Sequence, residues 1–176
     1  WDDLAGLSVE GLAAALAGAS AVEAASKARF LALLGEFLDR QAWEDEGCVS
    51  AAQWLSWRCG LGSVAASEHI RVAQALRCLP TIAQALSSGA ITWSKVRAVS
   101  RIATPATETT WLNVALDATA AQVEQIVRTQ RRIKATDAIK VIGAGLRGAG
   151  HNVTDEEVAR FQVRDGAAGF MRIVID

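Results

Sequence analysis

Proline occurs only twice in the 176 residues, and no apolar run is long enough to span a bilayer. With half of the residues hydrophobic, so little proline argues against a disordered chain. The missing apolar run excludes a membrane-spanning helix. The Ala/Leu-rich start has no basic region ahead of it, so it does not read as a signal peptide. Cysteine is scarce as well. Cys48, Cys59 and Cys78 are odd in number, widely spaced and without a CxxC. That pattern supports neither a disulfide framework nor a zinc site. It leaves buried free thiols in a reducing cytosol, and hence a cytoplasmic location. His69 and His151 are the only histidines, and neither sits in a motif with a nucleophile or with metal-ligand spacing. No catalytic residue, metal ligand or cofactor is therefore expected. Gly143, Gly145 and Gly148 do not follow a strand and precede a helix, so they make no nucleotide-binding loop.

What remains is a chain built for helices. Alanine supplies about a fifth of it, and the length suits one domain with a real core. The net charge of −1 rules out a wholly basic nucleic-acid binder but not a basic face. Charge is unevenly placed. Residues 1–47 carry a net of −6, residues 48–118 a net of +3 and residues 119–176 a net of +2. Within 119–150 there are six basic and two acidic side chains. The asymmetry suggests an acidic N-terminal part and a middle that tolerates polyanions; ordinary solvated helix faces would also produce it.

Ser8 opens a short helix that Gly18 ends. Ser20 and Glu23 form a capping box that predicts one helix over 20–43, with Phe30, Leu34, Phe37 and Leu38 buried and Leu33 on the same stripe. Ser50 and Gln53 start a second helix, ended by Gly60. Ser63 caps a third, to about Arg77. Pro80 opens a fourth, Thr92 caps a helix from Trp93 to about Ala103, and Pro105 punctuates before the next. Thr119 and Gln122 make a further capping box, whose helix is expected to bury Val123, Ile126, Val127 and Ile133. Residues 143–152 are glycine-rich and read as a linker after a helical domain spanning 1–142. In 153–176, two alternating runs around Asp165–Gly169 read as a truncated β-hairpin. The chain begins at Trp1 and stops at Asp176 inside such a run, so a piece of a longer protein is expected.

Residues 80–103 match helix-turn-helix spacing: a helix of about two turns, a glycine-containing connection and a second helix. On the second helix Val96, Val99 and Ala103 share one face, while Ser94, Arg97 and Arg101 share the other, flanked by Lys95. Arginine can donate twice to guanine, and serine and lysine can hold phosphates. A second basic cluster, Arg128, Arg131, Arg132 and Lys134, suits phosphate contact. Glu124 is spaced to pair with Arg128. Trp54, Trp57, Trp93 and Trp111 read as core anchors rather than base-stacking platforms.

Taken together, "WLxWRCG" at Trp54–Gly60, "HxRVAxAL" at His69–Leu76, Leu79-Pro80, "GxIxxxKVRA" at Gly89–Ala98 and "ATPxxE" at Ala103–Glu108 resemble the 13E12-repeat family of actinobacteria. Its N-terminal region is catalogued as a domain of unknown function, number 222. The resemblance implies association with a C-terminal HNH endonuclease, a metal-dependent DNA-cutting module. The paired histidines and the asparagine of that motif do not occur together here, so no nuclease residue carries over. The hairpin at 80–98 also resembles, more loosely, the helix-turn-helix of plasmid-partition proteins.

The expected fold is mainly α, a multi-helix array with a helix-turn-helix-like hairpin and a short C-terminal β-hairpin. The expected function is a DNA-binding or DNA-positioning module of an HNH endonuclease-type protein, not itself catalytic. DNA would be engaged by Ser94, Lys95, Arg97 and Arg101, with Arg128, Arg131 and Arg132 on phosphates. The competing expectation is a protein-interaction or homo-oligomerisation module. It would use the apolar stripe at 30–38 and the acidic run Glu44-Asp45-Glu46.

Overall fold

The computed structural model describes residues 4, 6–148, 150 and 154–160. Among them the chain is mainly helical and no strand occurs. It divides into two compact units, one through Val127 and one from Arg128 onward.

The first unit is organised by α1, Val9–Asp39. Ser8 caps it, its Oγ accepting from the Gly11 amide at 3.1 Å. The two helices expected at 8–18 and 20–43 are one. Gly18 sits in an alanine-rich stretch whose helix propensity carries the chain past it, at a cost of about 1 kcal/mol. Ser20 and Glu23 form no capping box, because a cap serves only unpaired amides and here the helix has begun well upstream. The helix also stops earlier than expected, where Gln41 turns to a φ of 52°. Its buried residues are Ala24, Leu31, Leu34 and Gly35. Phe30, Phe37 and Leu38 pack partly against the same core, whereas Leu33 is 54% exposed.

The second helix, α2 (Ala51–Cys59), starts and ends where its sequence says. Ser50 Oγ accepts from the Gln53 amide, and Gly60 closes it at a φ of 66°. The third, α3 (Ser63–Leu76), is capped by Gly62, with no side chain serving its first turn. Next, α4 (Pro80–Ser87) has proline at its first turn, where the missing amide costs nothing. Its orphan Ile82 amide donates to buried Glu108 Oε1 at 2.9 Å. Glu108 opens α6 (Glu108–Asp117), so one carboxylate ties two helices together. Between them lies α5, Trp93–Val99, shorter than expected. The α4–α5 turn requires Gly89. Its φ is +77°, and an added Cβ would lie 2.5 Å from Ala21 Cβ on α1. Ile82, Leu86, Ile91, Val72, Val96 and Val99 are fully buried where α1, α3, α4, α5 and α6 meet.

Thr119 and Gln122 make the expected capping box at the start of α7, Ala120–Gly148. Val123 and Val127 close the core of the first unit, whereas Ile126 and Ile133, expected inside, are exposed. In the second unit α7 stays helical through residues 143–148, the segment expected to be a linker. Buried Gly143 leaves room for Asp155, whose Oδ1 would meet an added Cβ at 2.7 Å, and Arg147 pairs with the same carboxylate at 3.1 Å. Asp155 opens α8, Asp155–Arg160, which buries Val158 and is capped by Thr154 and Glu157. The two compact units divide at 127/128, within α7. The expected β-hairpin, 161–176, lies outside the described residues.

Candidate nucleic-acid interface

The α4–α5 hairpin forms, and Val96 and Val99 point inward as expected. Most side chains of its second helix are engaged within the protein. Packing by α3, α4 and α6 buries Val96, Ala98 and Val99, and Ser94 is the one exposed residue of α5. Lys95 turns inward, its Nζ donating to the Ala115 carbonyl at 2.7 Å. Arg97 is bound to the Glu124 carboxylate. Arg101 falls beyond the end of α5 and donates to Glu68 Oε1 at 2.7 Å.

Glu68 is the hub. Arg71 donates to both of its oxygens, at 2.9 and 3.1 Å, and reaches the carbonyls of Arg97 and Ser100 at 3.0 and 3.2 Å. A guanidinium on the last carbonyls of α5 also suits the negative end of that helix. These hydrogen bonds, first from Arg71 and then from Arg101, hold the Glu68 carboxyl at a pKa of about 2 against burial, which opposes them. Sequence reasoning missed this centre. The three-residue spacing of Glu68 and Arg71 was its only local trace; the partners at 97, 100 and 101 are long-range.

Beside this network lies a cleft of about 570 Å³ between the start of α3 and residues 93–101. Its floor holds His69, which is 7% exposed and fully engaged. Nδ1 faces the Ala65 carbonyl at 2.7 Å and Nε2 faces Lys27 Nζ at 3.2 Å. That pairing suits the tautomer in which Nδ1 donates and Nε2 accepts. Trp93 stacks on the ring at 4.6 Å and Phe30 meets it edge-on at 5.6 Å. Trp54 packs on Phe37 at 4.4 Å. Trp57, expected inside, is 64% exposed beneath the Arg58 guanidinium. Cys59 and Cys78 are likewise exposed, not buried, while Cys48 is half-buried.

The basic residues at 128–134 of α7 behave differently. Arg128, Arg131, Arg132 and Lys134 are all exposed, and none forms an ion pair or a side-chain hydrogen bond among the described residues. Glu124, spaced to hold Arg128, holds Arg97 instead. The acidic run is partly engaged, with Glu46 pairing with Arg58 at 3.3 Å. The apolar stripe at 30–38 goes mostly into the core, through Leu31 and Leu34. The described residues contain no group of three metal-ligating side chains, and no helix among them is long and apolar enough to cross a membrane.

A family model described as a domain of unknown function (DUF222) matches residues 13–168. No curated protein and no solved structure matches.

Proposed function

The chain belongs to the DUF222 family, and from that premise we propose that it is a DNA-binding module whose contacts come from the basic face of α7. The observation that carries this reading is the state of Arg128, Arg131 and Arg132. They are exposed within two helical turns and hold no carboxylate among the described residues. Three such guanidinium groups are a phosphate-binding surface that has no internal charge to displace. Arg97 and Arg101 must first give up Glu124 and Glu68, so they are secondary. The role is that of positioning DNA for a nuclease partner domain of the HNH type, with no cofactor needed for the binding itself. Exposed free thiols suit a reducing, cytoplasmic setting.

Fluorescence anisotropy with duplex DNA at low and moderate salt tests the reading. The protein binds at low salt, and affinity falls as salt rises. Replacing Arg128, Arg131 and Arg132 together with alanine reduces low-salt affinity at least about tenfold. Absence of binding at low salt, or unchanged binding by the triple variant, contradicts it.

A second reading, self-association, draws support from the first half of α1. Val9 is 78% and Leu16 71% exposed there, and residues 9–20 bury no side chain. Light scattering across a concentration series decides it: a mass that stays at one chain excludes this role.

A further inference from the structure

The basic residues of α7 are not confined to one narrow stripe, and their distribution fits a particular mode of contact. At about 100° per residue, Arg131 and Lys134 lie roughly 60° and 120° to one side of Arg128. Arg132 and Lys140 lie roughly 40° and 120° to the other side. Ala135, a small residue, follows Arg128 on the central line two turns on. Asp137, the one acid in residues 128–148, lies diametrically opposite. All side chains from Arg131 to Asp137 are exposed, so no described residue covers this stretch on any side.

A flat phosphate surface would be met by one basic face, and residues at 120° on either flank would reach nothing. A helix lying lengthwise in a groove meets phosphates on both walls. The B-form major groove is about 12 Å wide and a helix with its side chains about 10–12 Å, so the helix fits. We propose that residues 128–140 of α7 insert into the major groove of B-form duplex DNA. Arg128 faces the base edges, Arg131 and Lys134 face one phosphate wall, Arg132 and Lys140 face the other, and Asp137 faces out. This rests on the reading of α7 as the DNA-binding face. It makes α7, not α5, the helix that enters the groove.

The geometry discriminates between nucleic acids. A-form RNA has a deep, narrow major groove that excludes a helix. The test uses the full 176-residue chain with a DNA duplex and an RNA duplex of the same sequence, followed by anisotropy over a salt series. Dimethyl sulfate protection then reports guanine N7 in the major groove and adenine N3 in the minor groove. The expected result is at least about tenfold tighter binding to the DNA duplex, with guanine N7 protected. The variant carrying Arg131→Ala, Arg132→Ala and Lys134→Ala should lose about 3 from its salt slope, one for each phosphate released. Circular dichroism confirms that the variant is folded. Equal affinity for the two duplexes, or protection of adenine N3 alone, overturns groove insertion and leaves the DNA-binding role standing. Failure to bind any duplex at low salt overturns both.

Discussion

Two sets of arginines, alike in sequence, differ in what surrounds them. Arg71, Arg97 and Arg101 lie where α3 and α5 meet, and each is matched to a carboxylate. Arg128, Arg131 and Arg132 lie on α7 and are matched to none among the described residues. The first set holds helices together, since Arg71 closes the carbonyl end of α5 while Glu68 gathers two guanidinium groups. The second set adds little to the stability of its own helix and is available to an external anion. Residue type says that a positive charge is present; only the local carboxylates say whether it is already used.

The sharpest way to break the α5 side of this comparison is through its turn. Gly89→Ala introduces a side chain at positive φ and against the backbone of Ala21, 2.8 Å from its Cα. The expected loss is about 3 kcal/mol, from backbone strain plus overpacking. Urea denaturation measures it. A loss below about 1 kcal/mol would mean that α1 does not clamp the hairpin.

Next in size is Arg71→Ala. It strips Glu68 of its main partner, takes the side-chain donor from the Ser100 carbonyl and leaves the Arg97 carbonyl with Ser100 Oγ alone, a loss of about 2 kcal/mol. Removing an exposed arginine from α7 should change stability by less than about 0.5 kcal/mol. If Arg71→Ala and Arg131→Ala have equal thermal midpoints, the contrast between bound and free arginines is lost.

Acid should weaken the same network. Because the Glu68 carboxyl ionises near 2 when folded and near 4.5 otherwise, its contribution is complete above about 4.5 and disappears as the pH falls toward 2. In thermal melts, Glu68→Gln should be less stable than the natural protein at pH 7, and the gap should narrow between pH 4.5 and 2.5. A gap that is constant over that range would show that the charge of Glu68 is not what stabilises the site.

Much of the fold was legible because local rules decided it. Ser50 with Gln53, Thr119 with Gln122, Pro80 and Gly60 all act where their chemistry is unambiguous. The errors came where a local signal met a longer-range one. Ser20 and Glu23 spell a capping box, yet the helix was already running. Glycines 143, 145 and 148 weaken a helix, yet α7 runs through them and its Arg147 pairs with Asp155 of α8. The site was less legible. Glu124 is one turn before Arg128, and its choice of Arg97 instead depends on how α5 packs beside the start of α7 within the first unit. Spacing alone could not show that Lys95 points inward to Ala115. Nor could it show that Ser94 is the one exposed residue of α5. The basic cluster at 128–134 was visible in sequence, but that it pairs with no carboxylate among the described residues was not.

The most direct measurement sets the two arginine pairs against each other in one assay. Duplex DNA is titrated at low salt with the natural protein, with Arg97→Ala/Arg101→Ala and with Arg131→Ala/Arg132→Ala, each checked for folding by circular dichroism. The Arg131/Arg132 variant should lose about tenfold or more in affinity and about 2 in salt slope. The Arg97/Arg101 variant should lose stability but, where folded, bind within about threefold of the natural protein, a change of well under 1.4 kcal/mol. The reverse pattern, with binding lost at 97 and 101 and kept at 131 and 132, would contradict it.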